Sequence, residues 1–287
     1  MQVGIGLPNT LAGADGELVL DWAGWAEDGP FTSLGVFDRV VYDSLDPLET
    51  LTACAGVTDD IRLATSIVAG PLYSTAVLAK RAATLDVLSG GRLTLGLALG
   101  ARREDYEAVG ADYRSRGGRF TRQLDQLREY WEGDEIGPTP VQDGGPELLV
   151  GGSSDPTYKR VGRHADGYIH GGGPPRAFAK EATKARSAWS EAGRPGEPTL
   201  WGHGYFALGD EETVERGREY LRDYYAFTGP FAERIAEGLL TTPQEVIQFV
   251  RGYEEEGCDE LILFPTVADS GQYERLERVI ESEWAGA

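Results

Sequence analysis

Two glycine-rich segments carry the residues best suited to hold an anionic group. The first, LGLALGARR (95–103), ends a strand-like run with Gly96, Gly100, Arg102 and Arg103. The second, LLVGGSS (148–154), ends another with Gly151, Gly152 and Ser153. Free backbone amides, a serine hydroxyl and glycines that permit close approach are what a phosphate requires. Turn formation explains either loop alone, but two at adjacent strand ends favour a phosphorylated ligand.

Other catalytic patterns are scarce. The chain has no GxSxG, HExxH or P-loop motif and only three histidines, His164, His170 and His203. A structural role is the simpler interpretation for each histidine, although His170 ends its strand next to GGG and is the one expected to face a pocket. Cys54 and Cys258 have no metal-ligand or redox spacing, so we interpret them as small buried apolar residues. No metal site and no disulfide framework are predicted.

The stretch 61–100 positions the first glycine loop, because it forms one complete βαβ unit. IRLATSIV is β-branched and apolar, Ser74 is a helix N-cap, and the following helical pattern stops at Gly90 and Gly91. In the next strand leucines alternate with Thr94, Gly96 and Ala98. Small residues at the carboxyl end of such a strand leave space where α/β barrels bind ligands.

Eight strand-like segments alternate with helical patterns along the chain. The strands are predicted at 3–7, 33–37, 61–68, 92–99, 147–151, 166–170, 200–208 and 258–264. Helical patterns lie between them, including one over 47–57 and a long helical region over 210–253. This order predicts a (β/α)8 TIM barrel as a single domain over residues 1–287, with enlarged loops after the fourth and seventh strands.

Composition sets the limits on partners and location. The net charge is −20, from 27 basic and 47 acidic side chains, which repels nucleic acid and anionic membranes. The amino terminus MQVGIGLPNT has neither basic residues nor a cleavable apolar core, and no apolar run is long enough to span a membrane. We therefore expect a cytoplasmic protein that binds neither nucleic acid nor membranes.

Residues 33–100 resemble the signature region of the bacterial luciferase-like flavin-dependent oxidoreductases, which use FMN or the deazaflavin coenzyme F420 on a TIM barrel. The segments AKRAATLDVLSGGR, LGLALG, RFTRQLDQLREYW, LLVGGSS and RHADGYI follow in the order of that family. The LSGGR element with its following strand is fairly specific. The likeness covers most of residues 1–170, and from about Gly171 only the barrel rhythm is shared.

The resemblance implies the positions of a cofactor site. It places the isoalloxazine or deazaflavin ring over the barrel mouth, near Asp38, Thr65, Ser66 and Ile67. A non-prolyl cis peptide is implied between Ser66 and Ile67. The phosphate contacts map to the strand ends already described, at Gly96, Gly100, Gly151, Gly152 and Ser153.

Many relatives have histidine after the acid that ends the second strand, whereas this chain has Arg39. Acid–base chemistry there would need Asp38, His170, Tyr73 or water, and Asp38 could instead cap a helix or pair with Arg39. The choice between FMN and the deazaflavin stays open. The resemblance also implies a small organic substrate and a homodimer.

Two other interpretations stay open beside a flavin-type monooxygenase or hydride-transfer enzyme. A phosphosugar isomerase or aldolase would use the same glycine loops, but it needs a lysine or paired acids at strand ends. The four lysines all lie in helical patterns, at Lys80, Lys159, Lys180 and Lys184. A flavin-binding barrel without turnover is the second alternative.

Overall fold

The computed structural model describes residues 1–284, and eight parallel strands form its centre. In chain order β1 to β8 span Gln2–Gly6, Ser33–Val36, Arg62–Ala69, Leu93–Ala98, Glu147–Gly151, Gly167–Ile169, Thr199–Phe206 and Glu260–Pro265. Each strand pairs with the next, and β8 closes the barrel on β1, where Glu260 lies beside Gln2. The predicted (β/α)8 barrel is confirmed, and each predicted strand lies within two residues of the observed one.

Helices cover the outside of the barrel. In chain order α1 to α11 span Gly16–Asp28, Pro47–Ala55, Thr75–Leu88, Arg103–Ala108, Arg116–Glu132, Asp155–His164, Pro175–Glu191, Glu211–Tyr224, Phe231–Glu237, Pro243–Glu255 and Ser270–Glu283. Local sequence sets several starts. Asp46 and Pro47 begin α2, and Thr242 with Glu245 forms a capping box on α10. Ser74 is the N-cap of α3, as predicted, although its hydroxyl makes no capping hydrogen bond.

Alternate residues of each strand face two different apolar layers. Leu148, Leu200 and Leu261 belong to the layer between the strands and the helices. Their neighbours Leu149, Trp201 and Ile262 belong to a second layer inside the barrel. Both faces of the strands are therefore buried, which accounts for their nearly continuous apolar sequence.

The connections after β4 and β7 are enlarged, as predicted, but their helices differ from the prediction. The first connection holds α4 as well as α5, and α4 was not predicted. The long helical region predicted over 210–253 is divided into α8, a 3-10 turn at Ala226–Thr228, α9 and α10. Gly229 with φ +60°, followed by Pro230, separates the 3-10 turn from α9 because neither residue continues a helix.

Helix α5 is tied to the end of β3 by hydrogen bonds to the 3-10 turn Gly70–Leu72. Gln123 Nε2 donates to the Gly70 carbonyl over 3.0 Å, and the Arg119 guanidinium donates to the Pro71 carbonyl. The first residue of the helix, Arg116, is thereby held at the barrel mouth.

Within residues 1–284, no helix is long and apolar enough to cross a membrane, and no group of three His, Cys, Asp or Glu side chains could hold a metal ion. Cys54 and Cys258 are both free and buried. Their predicted role as small buried apolar residues is confirmed.

Strands β3 and β4 are in close contact at Gly96. A Cβ atom at this position would lie 2.1 Å from the Thr65 carbonyl oxygen, which is backbone and has no room to move. The Thr65 hydroxyl also donates to the Gly96 carbonyl over 2.8 Å. Glycine is therefore required at residue 96 by strand packing.

We expect Gly96→Ala to lower the free energy of unfolding by about 1–3 kcal/mol or more, because the added methyl overlaps backbone in a packed barrel. Gly24→Ala is the matched control, since Gly24 lies within α1 and a Cβ there meets nothing within 4 Å. It should stabilise the protein by about 0.5–1 kcal/mol. Denaturant titrations that moved both midpoints in the same direction would contradict this account.

Candidate functional site

A cavity of about 450 Å³ opens at the carboxyl ends of the strands. It is lined from several strands and connections by Phe37, Asp38, Ser66, Ile67, Ala98, Leu99, Gly100, Ala101, Arg102, Tyr113, Arg116, Gly151, Gly152, Ser153, Ser154, Thr157, Ile169, His170, Gly171, His203, Tyr224, Tyr225 and Phe227. The two glycine-rich strand ends thus share one cavity, as the sequence predicts. Ligands bind at this end of α/β barrels generally.

The rim at β5 has the shape and donors that suit an anion. Gly152 has φ +127°, and a Cβ there would lie 2.8 Å from Thr157 Oγ1. Among residues 1–284, no backbone carbonyl accepts from the amides of Gly152, Ser153 or Ser154. The hydroxyls of Ser154 and Thr157 lie 3.1 Å apart. Three unused amides and two hydroxyls therefore surround a space that only glycine keeps open.

Arg116 supplies positive charge beside this rim. Its guanidinium lies 3.7 Å from the centre of the Tyr113 ring, and its Nη1 donates to the Tyr113 carbonyl over 2.8 Å. The next residue, Gly117, accepts a hydrogen bond from Arg160 of α6 over 3.0 Å. Arg116 therefore stands close to the helix that follows the β5 glycines. The sequence pattern did not single out Ser154, Thr157 or Arg116.

Gly100 at the end of β4 also requires glycine, because its φ is +69° and a Cβ would lie 2.9 Å from that of Ala69. Gly151 lines the cavity, and a Cβ there would lie 3.3 Å from both Cγ2 and the carbonyl oxygen of Ile169, which is a tight contact. Thr65 and Gly96 were predicted to contact the cofactor but do not line this cavity. They contact each other between β3 and β4, where the Thr65 hydroxyl donates to the Gly96 carbonyl.

Asp38 lies in the cavity wall and is 7% exposed. Its Oδ2 accepts from the Ala69 amide and its Oδ1 from the Tyr73 hydroxyl, both over 2.9 Å. Burial raises the pKa of Asp38 to about 6, although these two hydrogen bonds oppose the shift. The carboxyl group therefore changes protonation close to neutral pH.

The alternative pairing of Asp38 with Arg39 is not present. Arg39 lies within 4 Å of Glu104 and Asp105 instead, and its guanidinium stands 4.6 Å from the centre of the Tyr42 ring. Asp105 Oδ1 also accepts from the amide of Val41 over 2.7 Å. Arg39 and the Val41 amide thus connect the segment after β2 to Glu104 and Asp105 of α4.

Ser66 and Ile67 form part of the cavity floor, and the peptide bond between them is cis. The predicted non-prolyl cis peptide is confirmed. The ladder between β3 and β4 shifts register at this point, between Thr65 and Val68. The Ser66 side chain lies against His203, with Oγ 3.1 Å from Nδ1.

His170 is neutral, and its tautomer follows from its neighbour. The Tyr253 hydroxyl has one hydrogen, which it donates to the Gly173 carbonyl over 2.9 Å. Its oxygen therefore accepts from His170 Nδ1, 3.2 Å away. Burial lowers the pKa of His170 to about 4. At neutral pH its Nε2 consequently offers a lone pair and not a proton.

His203 was interpreted from sequence as a structural strand residue, but it lines the cavity. Its Nε2 is buried without a hydrogen-bond partner among residues 1–284. Burial, with His170 nearby, lowers the pKa of His203 to about 3. The period-two pattern of β7 could have revealed it, because Trp201 and Tyr205 face the barrel interior on either side.

The cavity therefore has a neutral floor and a cationic rim. The imidazoles of His170 and His203 are uncharged, and they stand beside the apolar side chains of Phe37 and Ile67. No lysine lines the cavity, and all four lysines lie in helices, as predicted. The Schiff-base lysine that an aldolase would need at a strand end is thus missing from this cavity.

Comparisons with known proteins agree with this fold. The model of the luciferase-like monooxygenase family matches residues 1–257, and the chain belongs to this family. The family includes flavin-dependent monooxygenases, and the fold is shared with F420-dependent enzymes.

The chain is 31% identical over 182 residues to an uncharacterized protein of Mycobacterium tuberculosis. This match covers 58% of this chain and 62% of the relative. It is 24% identical over 197 residues to the FMNH2-dependent dimethylsulfone monooxygenase of Pseudomonas putida, over 63% of this chain and 53% of that enzyme. The matches span less than two thirds of these curated relatives.

An F420-dependent secondary alcohol dehydrogenase, solved with an F420-acetone adduct, has a TM-score of 0.80 and 17% identity over 98% of both chains. That likeness shows the fold.

The raised pKa of Asp38 predicts a specific dependence of stability on pH. Because the pKa in the folded protein is above the ordinary value of 3.8, the fold favours the protonated acid, and stability is lost as pH rises from about 4 to about 6. Asp38→Asn removes this loss. Relative to the variant, the wild-type free energy of unfolding should fall by about 2 kcal/mol between pH 4 and pH 7. Denaturant titrations at several pH values measure the difference, and a constant offset would contradict the prediction.

Proposed function

We propose that this protein is a flavin-type oxidoreductase that binds FMN or the deazaflavin coenzyme F420 in the cavity and acts on a small organic substrate. The observation that carries the proposal is the β5 rim, where the amides of residues 152–154 have no backbone acceptor and Thr157 and Arg116 line the same cavity. Such a set suits the phosphate that FMN and F420 share. Membership of the luciferase-like family supports the same assignment.

The floor fits the rest of such a cofactor. Phe37 and Ile67 give it apolar surface, and the unpartnered Nε2 of His203 offers a polar contact to a heteroaromatic ring. The bound cofactor would supply hydride transfer or oxygen activation. The protein orients the ring, excludes water from the floor and places proton-transfer groups beside it.

Asp38 is the group best placed to transfer a proton in this cavity. Its pKa of about 6 keeps both protonation states accessible near neutral pH, whereas His170 and His203 stay neutral. The hydrogen bonds from Ala69 and Tyr73 fix the orientation of the carboxyl group. His170, the other catalytic candidate, would act as a hydrogen-bond acceptor through Nε2.

Cofactor binding tests the proposal directly. Fluorescence titration of the purified protein with FMN and with F420 should show saturable binding of one of them. Thr157→Val should weaken that binding roughly tenfold or more, because it removes a hydroxyl donor to a charged group. Thr183→Val, on the outer helix α7 where the hydroxyl donates to Ala179 O, is the control and should bind normally. Gly152→Asp should abolish binding, since a carboxylate would enter the phosphate space.

If the wild type binds neither cofactor, the proposal is wrong. Turnover assays with reduced cofactor, with and without oxygen, then identify monooxygenation or hydride transfer, and cofactor binding without turnover in either assay would indicate a flavin-binding barrel.

The role of Asp38 predicts a bend in the pH–rate profile near pH 6. Asp38→Asn should lower kcat by at least about 100-fold, the contribution typical of a positioned acid or base, and should remove the bend. Asp43→Asn is the matched control, because Asp43 is exposed on the same connection after β2. This variant should keep the wild-type kcat and the bend near pH 6. A variant at residue 38 that retained the wild-type pH profile would exclude Asp38 from proton transfer.

A further inference from the structure

A second cationic group lines the cavity on the side of the β7 connection. The Arg102 guanidinium lies over two aromatic rings, 4.6 Å from the centre of Tyr224 and 4.3 Å from that of Phe227. Its Nη2 donates to the Tyr224 carbonyl over 3.2 Å. Contacts with two rings and one backbone hydrogen bond fix the position of the planar group.

Arg102 has no acidic partner. Within residues 1–284 no carboxylate oxygen lies within 4 Å of its guanidinium, and its Nε is buried without a hydrogen-bond partner. Arg39, which lies close enough to affect it electrostatically, has Glu104 and Asp105 within 4 Å. In a chain of net charge −20, an oriented arginine without a carboxylate at a cavity wall indicates that the anion is to come from a ligand.

The position of Arg102 is distinct from the β5 rim. Arg116 is braced by Tyr113 and neighbours α6 through Gly117, whereas Arg102 is braced by residues from the end of α8 and the 3-10 turn at Ala226–Thr228. The cavity thus has two separately supported guanidinium groups. Under the proposed function a cofactor phosphate would bind beside Arg116, which leaves Arg102 free for a second anion.

We propose that the substrate is an organic acid with a planar, aromatic or conjugated body, whose carboxylate binds Arg102. The proposal rests on the proposed function, because it assigns the floor and the β5 rim to the cofactor. An aromatic wall of Tyr224, Tyr225 and Phe227 lines the cavity next to Arg102. Rings of this kind pack against flat apolar bodies, while the guanidinium fork matches the two oxygens of a carboxylate.

The test compares 2-naphthoate with 2-naphthamide, which have the same ring system and differ in charge. Calorimetric titrations are made with the purified protein alone and with the protein saturated with FMN or F420. We expect the wild type to bind naphthoate roughly tenfold or more tightly than naphthamide. Arg102→Gln should remove that preference and leave the cofactor Kd unchanged, and Arg102→Lys should retain part of it. Arg103→Gln is the matched control, because Arg103 is exposed and does not line the cavity.

Three outcomes would overturn the proposal: equal affinity of the wild type for the acid and the amide, a preference that survives Arg102→Gln, or a loss of cofactor affinity in Arg102→Gln. The last would make Arg102 an anchor for the cofactor, such as the carboxylate tail of F420. A naphthoate preference in a protein that binds neither cofactor would refute the proposed function and still support Arg102 as the site of the organic acid.

Discussion

The rest of the site depends on the hydrogen bonds that the buried carboxyl group of Asp38 accepts. It joins the end of β2 to the end of β3 by accepting from the Ala69 amide and the Tyr73 hydroxyl. The 3-10 turn between those two residues in turn holds α5 through Gln123 and Arg119. The position of Arg116 therefore depends on a chain of contacts that begins at one acid. Burial has an electrostatic cost, which is visible in the raised pKa of Asp38.

Neutral and charged side chains lie in different parts of the cavity. The floor holds neutral imidazoles and apolar side chains, and the arginines stand toward its edges. A ligand with an uncharged ring and a charged tail matches this order, because the ring loses little hydration in the floor while the tail meets oriented donors. The strongly acidic remainder of the surface leaves this opening as a local region of positive charge.

Features that depend on local sequence could be predicted, and features that depend on loop conformation could not. Apolar runs predict the strands. Glycines at the strand ends predict the positions of Gly100 and Gly152, where left-handed φ values and close contacts exclude other residues. Arg102 and Arg103 are adjacent and chemically alike, yet only the first lines the cavity. That distinction arises from the turn into α4. The alternation of His203 with Trp201 and Tyr205 along β7 gave a signal for its inward position, but a lone histidine in an apolar strand has a structural role as its simpler explanation.

The enlarged connection after β7 contributes Tyr224, Tyr225 and Phe227 to one wall but nothing to the β5 rim. Changes in the sequence of that connection can therefore alter one wall of the cavity while the β5 rim, the proposed phosphate site, keeps its residues. The same modularity offers protein engineers a segment to diversify without rebuilding the barrel.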